Sequence, residues 1–253
     1  FTPDGVSDYL ILACSLGYIV TGWAYMGIAV DNVLQTVTYV SGTSSALHLP
    51  MFCSTVLKKP PAIPTAISIG AARSDANARL DETRYIILRL DTFTKRAAAF
   101  VSTPTTVSGT AWQSAQTLTP APAPVAGEQF LVFARIQGYN WTASDTILGT
   151  RVLRSGNQIA AAKTSDLNLS AGDFLGPAFT MLSTAAGGDT YEHQFQKENY
   201  ADRPANIYYS TLAVLKTEVG YTAPTPPKTL KVVQAAVSGA TAQLSLIHIS
   251  EPT

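Results

Sequence analysis

The sequence predicts an all-β protein: two tandem antiparallel β-sandwich domains with jelly-roll-like topology, followed by the start of a third β-domain. Three observations support this fold class. Short runs rich in Val, Ile, Leu, Thr and Tyr recur along the chain, bounded by Gly, Pro, Asn and Ser. Two stretches of the chain resemble one another in the same order. Helix signals are scarce, because residues 71–80 carry Ala and Arg but no apolar stripe of helical spacing and no clear cap.

Several strands and turns can be placed individually. Residues 8–15 form a nearly continuous apolar run, which predicts a strand buried inside a sandwich. Residues 153–159 are typical of a hairpin in which Ser-Gly-Asn turns the chain. Residues 186–189, Ala-Gly-Gly-Asp, predict a second turn ahead of an alternating strand over residues 191–195. Each expected copy has roughly 100 residues, the usual size of a two-sheet antiparallel sandwich.

The internal repeat is visible as short matches that keep their order along the chain. Matched positions differ in number by 121 to 127. The matching segments are residues 8–13 with 129–134, 26–30 with 148–152, 50–52 with 177–179, and 85–88 with 209–212. No single match is strong, but collinearity across the whole set indicates that one domain is present twice.

The repeat and the Pro-rich stretches set the expected domain boundaries. A strand-like segment, residues 112–118, leads into the second copy, and the first copy has no counterpart after Phe1. We therefore expect the first copy to lack its first strand. The predicted divisions are a first copy over residues 1–100, a linker over 101–110, a second copy over 111–220, a Pro-rich linker over 221–228, and the truncated start of a third β-domain over 229–253.

The last predicted division has two parts. Residues 229–233 and 241–245 alternate like β-strands. Residues 246–253 resemble translated sequencing-adapter read-through, which would make them an artefactual tail, and the alternative is an ordinary short strand ended by Pro252. In either case we assign no role to His248 and Glu251.

Composition narrows the range of partners. The 17 Lys and Arg residues balance the 17 Asp and Glu residues, so the formal net charge is zero. This balance argues against broad electrostatic attraction to nucleic acid or to an anionic membrane. Only 13% of the residues are charged and 46% are hydrophobic, which predicts extensive contact with neighbouring subunits.

The opening of the chain resembles a known repeat. Residues 2–13 contain Thr-Pro followed by Gly-x-x-Asp-Tyr-Leu-Ile-Leu-Ala, residues 30–32 are a Val leading into an Asp-Asn turn, and residues 85–90 are rich in Ile, Leu and Arg. This pattern resembles the small β-sandwich repeats of tailed-bacteriophage virion structural proteins. The second copy fits through residues 129–134, 151–157 and 208–215, but it lacks the Asp-Tyr pair and the final Arg.

The resemblance implies a function as well as a fold. It implies a non-enzymatic structural protein such as a capsid decoration, head-fibre or tail component, located in a virion or outside the cell. Its partners would be other virion or filament subunits, including copies of itself, with no nucleic acid, membrane, metal or cofactor involved. It carries over no catalytic residue.

A second hypothesis is a carbohydrate-binding or adhesive module of a secreted bacterial surface protein. Tyr139, Asn140 and Trp141 are consecutive, and two aromatic side chains flanking an amide could stack on a sugar ring and hydrogen-bond its hydroxyls. Trp23 stands in the comparable region of the first copy. The alternative interpretation, which we favour, is that these aromatic side chains anchor a loop on the sandwich or on a neighbouring subunit.

The Cys and His residues suggest no reactive site. Cys14 and Cys53 lie in apolar strands and belong to no metal-binding or redox motif, so two buried free thiols are expected. Whether they are bridged cannot be decided from spacing. His193 stands between Glu192 and Gln194 and is predicted to be a solvated or hydrogen-bonded surface group.

The acidic residues and the serines suggest no metal site and no hydrolase. Asp81, Glu82, Asp166, Asp173 and Asp189 could offer loop oxygens to calcium, but no calcium-binding motif is present, so caps and turn formers are expected. The sequence also has no Gly-x-Ser-x-Gly elbow, which argues against a hydrolase.

Overall fold

The structure is a computed structural model, and it describes most of the chain up to Thr217. The described ranges are residues 1–19, 22–42, 47–73, 79–107, 109–140, 146–166, 174–198 and 205–217. The predicted Pro-rich linker and third β-domain lie outside these ranges. Among the described residues, no helix is long and apolar enough to cross a membrane.

The prediction of an all-β protein is confirmed. The only helical element in the described ranges is a single 3₁₀ turn, Leu90–Thr92. The strands of the first half are β1 (Tyr9–Ile19), β2 (Gly22–Val30), β3 (Val33–Gly42), β4 (Leu47–Leu57), β5 (Ile67–Arg73) and β6 (Arg79–Arg89). The strands of the second half are β7 (Arg96–Val101), β8 (Thr105–Val107), β9 (Gln113–Leu118), β10 (Gln129–Asn140), β11 (Thr146–Arg154), β12 (Asn157–Asp166), β13 (Phe174–Leu175), β14 (Ala178–Thr184), β15 (Tyr191–Lys197) and β16 (Ala205–Lys216).

Strands β1 to β6 form the first sandwich. Sheet 1 has the order β4-β1-β6, and sheet 2 has the order β3-β2-β5, with antiparallel pairing throughout. Strands β2 and β3 are joined by Asp31 and Asn32, both with positive φ (48° and 66°). Two central residues in this conformation match the right-handed twist of a hairpin, and Asp and Asn tolerate it better than most residues.

The second sandwich repeats this order and adds a strand position to each sheet. In sheet 3, β14-β10-β16 corresponds to β4-β1-β6, and β7 and β8 cover the outer side of β16. In sheet 4, β12-β11-β15 corresponds to β3-β2-β5, and β9 covers the outer side of β15. The predicted hairpin is confirmed, because Ser155 and Gly156, with φ of 47° and 85°, join β11 to β12. A duplication would produce these matching orders, although the duplication itself stays a prediction.

The strand pairing differs from the predicted linker over residues 101–110. Strand β8 lies within that stretch and pairs with β16, and β7 begins earlier, at Arg96, in the same sheet. The physical reason is that β16 would otherwise present an unpaired edge, which the residues after β6 cover. Strands β7 and β8, within residues 96–107, therefore belong to a sheet of the second sandwich and do not form a free linker between the two sandwiches.

The two sandwiches pack against each other, so that four sheets are stacked in the order 2, 1, 3, 4. On one face of β1, Ile11 and Ala13 pack against Met26 of sheet 2. On the other face, Leu10 joins Phe133 of sheet 3 in a separate apolar cluster. The predicted burial of the apolar run at residues 8–15 is thus confirmed for its central part, and the cause is that sheet 1 is covered on both faces.

Candidate interaction surfaces

The predicted glycan-binding residues lie at one end of the second sandwich. Tyr139 and Asn140 are the last two residues of β10, where their backbone pairs with Asn206 and Ala205 of β16. Their side chains, and the whole of Trp141, lie outside what the structure describes. The glycan contact therefore stays a prediction.

The same end of the sandwich receives three chain connections. Three strands end there: β10, β12 and β15. The strands that follow them in the chain, β11, β13 and β16, begin at the same end. Residues 141–145, 167–173 and 199–204 stand between these strand ends in the sequence and lie outside the described residues. Strand ends that meet at one end of a sandwich are a common setting for ligand recognition.

His193 is buried, which contradicts its predicted place on the surface. The imidazole has no exposed area, and Nε2 lies 2.6 Å from Thr150 Oγ1 while Nδ1 lies 3.0 Å from Ser210 Oγ. The sequence pattern does indicate the correct face, because Tyr191, His193 and Phe195 alternate with Glu192 and Gln194. The surface prediction groups His193 with its polar neighbours, whereas alternate residues of a strand share a face.

The hydroxyl groups beside His193 resemble part of a catalytic triad but do not behave as one. Burial lowers the pKa of His193 to about 3, so the ring is neutral near pH 7 and is a poor general base. Both ring nitrogens are taken up by the hydroxyls of Thr150 and Ser210, which are buried with it. The arrangement stabilises the core between sheets 3 and 4 and does not present a nucleophile to a substrate.

A small cleft lies above Ser210, where β7 and β8 approach β9. Thr103, Thr105 and Ser114 supply hydroxyl groups, and Tyr208 and Tyr209 supply aromatic rings. The cleft has a volume of about 40 Å³, which is room for roughly one water molecule. It is too small to enclose a sugar ring or a metabolite.

Arg135 is a buried cation between the two sandwiches, at a position that no sequence pattern marks. It lies on β10, and its guanidinium donates hydrogen bonds to Val37 O at 3.2 Å, Thr36 Oγ1 at 3.3 Å and Gln137 Oε1 at 2.7 Å. Burial lowers its pKa from the ordinary value. The two bonds to β3 link sheet 3 to sheet 2, so Arg135 fixes how the sandwiches sit on one another.

Of the acidic residues considered as calcium ligands, Asp189 is a turn former as predicted, whereas Asp81 and Glu82 lie within strand β6. The Asp189 carboxylate accepts hydrogen bonds from the backbone N–H groups of Ala186 and Gly187 and from the Ser155 hydroxyl. Asp81 pairs with Arg79 at 3.1 Å. No cluster of three potential metal ligands occurs among the described residues, and Asp173 lies outside them.

The two cysteines are free, but only one is buried as predicted. Cys53 is fully buried, and Cys14 is exposed. They lie on adjacent strands, yet Cys14 is opposite Phe52 and Cys53 is opposite Ala13, so the two thiols point to different faces of sheet 1. Cys14 lies on the face turned toward sheet 3, in a part that sheet 3 does not cover.

In the part of the chain that the structure describes, two of the four edge strands of the first sandwich lack a neighbour that their counterparts in the second sandwich have. Strand β5 pairs only with β2, and β6 pairs only with β1. The corresponding edges of the second sandwich are covered by β9 and by β7 with β8. Unpaired edges of this kind can accept further strands. On β6, Ile86 is half exposed.

Comparisons with known proteins give distant structural neighbours. No protein-family model matches the chain, and no curated protein matches its sequence. The VP2 subviral particle of infectious bursal disease virus is 8% identical with a TM-score of 0.35, over 84% of this chain and 58% of that one, so this chain spans less than two thirds of it. The tandem CBM22-1–CBM22-2 domain of Paenibacillus barcinonensis Xyn10C is 11% identical with a TM-score of 0.29, over 83% and 79%.

A third structural neighbour is a toxin. The insecticidal delta-endotoxin Cry8Ea1 from Bacillus thuringiensis is 8% identical with a TM-score of 0.31, over 83% of this chain and 53% of that one. With TM-scores below 0.5, none of these neighbours indicates what this chain binds or assembles with.

Proposed function

We propose that this chain is a non-enzymatic structural subunit of an extracellular assembly, and specifically of a tailed-bacteriophage particle. Its place there would be that of a capsid decoration, a head fibre or a tail component. The observation that carries the proposal is the shared apolar cluster between the sandwiches, which makes sheets 1 to 4 one stacked body. A rigid stacked body suits a structural role.

The contacts between the sandwiches support this rigidity. The rings of Phe52 and Phe133 lie 5.3 Å apart, and the Ser54 hydroxyl donates a 2.9 Å hydrogen bond to Thr211 Oγ1. Lys58, just after the same strand, donates to Ala98 O on β7. Strand β4 and the residue after it thus contact β10, β16 and β7 in turn, so β4 crosses sheet 3 at a steep angle.

The test is co-purification with particles. Antibodies raised against the recombinant chain should label purified particles in immunogold electron microscopy, and mass spectrometry should find its peptides in the density-banded fraction. The signal should survive a high-salt wash, because apolar and strand-edge contacts are not screened by salt. Recovery only from a secreted or cell-surface fraction would overturn the proposal.

The second candidate function is carbohydrate binding, and the gathering of three chain connections beside Tyr139 and Asn140 favours it. On a glycan array, Trp141→Ala should abolish any signal. A matched control is Trp112→Ala, because the Trp112 ring already holds the Arg151 guanidinium 4.2 Å from its centroid. A silent wild-type chain would remove this candidate.

A further inference from the structure

The half of sheet 1 that extends past the contact between the sandwiches keeps an exposed apolar face. Leu10 and Leu12 pack in the cluster shared with sheet 3, whereas Cys14, the next residue on the same side of β1, is exposed. Ile86 lies opposite Leu12 and is 50% exposed, although it is inside strand β6. Alternate residues of a strand share a face, so these side chains all point to the side of sheet 1 that is turned toward sheet 3.

The steep crossing of the two sheets explains this exposure. Sheet 3 contacts sheet 1 along β4 from Phe52 to Lys58 and along β1 at Leu10. Sheets that cross steeply overlap only near the crossing, so the end of sheet 1 extends past sheet 3. We call this uncovered end the sheet 1 lip, and its apolar side chains are those of Leu12, Cys14, Leu16, Phe52 and Ile86.

The margin of the sheet 1 lip is polar but carries no net charge. On β6, Arg84 lies 3.9 Å from Glu82, and Arg79 lies 3.1 Å from Asp81. Two cations and two anions balance, so this margin offers no complement to nucleic acid or to an anionic lipid surface. An apolar centre with a polar margin is the usual composition of a contact between proteins. The partner that fits is a protein surface that is itself apolar and nearly neutral.

The contact between the sandwiches indicates which protein surface this is. Sheets 1 and 3 hold corresponding positions in the two sandwiches, with the orders β4-β1-β6 and β14-β10-β16. They pack face to face through Leu10, Phe52 and Phe133. In its covered half, therefore, this face of sheet 1 packs on its own counterpart. The sheet 1 lip of a second copy offers the same apolar and neutral surface to the uncovered half.

We propose that two copies of this chain associate through their sheet 1 lips, packed face to face about a two-fold axis. The same residues contribute from each copy, so the contact is closed and stops at a dimer. Stacked sheets lie about 10 Å apart, which places the Cys14 thiols of the two copies within reach of a short cross-linker. This inference rests on the proposed role in an assembly and names one contact between its subunits.

The first test is the mass of the full chain in solution. Light scattering should show the average mass rising with concentration toward twice that of a monomer, and no further. Ile86→Glu places a charge in the contact, so the dissociation constant of the dimer should rise at least about tenfold. Ile63→Glu is the matched control and should dimerise like the original chain. Ile63 is 55% exposed in the connection between β4 and β5, at the opposite end of the first sandwich. Circular dichroism of dilute samples checks that both variants are folded.

The second test uses Cys14 and needs no substitution in the sheet 1 lip. The chain has two cysteines and Cys53 is fully buried, so Cys14 is the thiol that a maleimide reaches. A bis-maleimide with a spacer of about 10 Å should cross-link two copies at the concentrations where light scattering detects dimers. At the same concentrations, labelling of Cys14 by a bulky single maleimide should slow severalfold. Cys14→Ser should abolish both signals.

Several outcomes would overturn the inference. They are a chain that stays monomeric up to near-millimolar concentration, growth beyond two copies, a dimer unaffected by Ile86→Glu, and a dimer in which Cys14 labels as fast as in the monomer. None of them alters the particle test, since other surfaces can hold a subunit in a particle. Conversely, a chain that is absent from particles can still form this dimer, so the two proposals fail separately.

Discussion

Ser54 and Thr211 are hydrogen-bonded to each other at 2.9 Å across 157 positions of sequence, with both hydroxyls buried between the two sandwiches. A polar pair in an apolar interface is satisfied only when its two strands are in one relative position, so the bond specifies how sheet 1 lies on sheet 3. The surrounding apolar cluster supplies the stability, and this pair supplies the register.

Truncating Phe133 should destabilise the whole described body. Phe133→Ala removes a ring that is 4% exposed and lies 5.3 Å from the Phe52 ring, so the free energy of unfolding should fall by about 3–5 kcal/mol. Chemical denaturation measures this. Leu182→Ala is the control, because Leu182 is 59% exposed in the same sheet and should change stability by less than about 0.5 kcal/mol. Equal losses for the two variants would contradict this packing.

His193 should make the fold sensitive to acid. Its pKa is about 3 in the folded chain and about 6.5 when unfolded, so the unfolded state binds the proton more readily. The contribution to stability is complete above pH 6.5 and is lost as the pH falls toward 3, at about 1.4 kcal/mol per pH unit. In a comparison of unfolding free energies at several pH values, His193→Gln should flatten this slope. His48 and His248 are present in both the original chain and the His193→Gln variant, so their contributions to the pH dependence cancel in the comparison.

The two thiols should react at very different rates. Burial raises the pKa of Cys53 to about 11, and the thiol has no exposed area, whereas Cys14 is exposed. A thiol reagent at neutral pH should modify one cysteine quickly and the second only on unfolding. Cys14→Ser should remove the fast phase. A fast phase that persists in this variant would show that the interior between sheets 1 and 2 is open.

Removing the buried Asp189 carboxylate should destabilise the fold more than removing a partly exposed carboxylate elsewhere. Asp189→Ala deprives two backbone N–H groups and the Ser155 hydroxyl of their acceptor, which should cost about 1–3 kcal/mol of unfolding free energy. Asp91→Ala is the control, since Asp91 forms a partly exposed pair with Arg89 and should cost at most about 1 kcal/mol. A thermal melt of both variants distinguishes them.

The local features are predictable from the sequence because each depends on neighbouring residues. The hairpin at Ser155 and Gly156 needs two positive φ angles, which limits the choice of residues. The all-β class is set by strand composition in the same way. The burial of His193 is also predictable, because it alternates with Glu192 and Gln194 and so shares a face with Tyr191 and Phe195. The polarity of its side chain instead favours the surface, which is why the sequence prediction for this residue is wrong.

The contacts between the sandwiches could not be predicted, because they join residues far apart in sequence. Phe133 and Arg135 lie on the same face of β10, and nothing in their order shows that both face another sheet. A guanidinium is seldom fully buried, so Arg135 would normally be assigned to the surface. The exposure of Cys14 likewise depends on where sheet 3 stops covering sheet 1.

At Leu10 and Ile11, strand β1 has no side turned to water, since Ile11 faces one layer and Leu10 faces another. If the second half were removed, the apolar face of sheet 1 that carries Leu10 would be exposed to water, and the first half would aggregate.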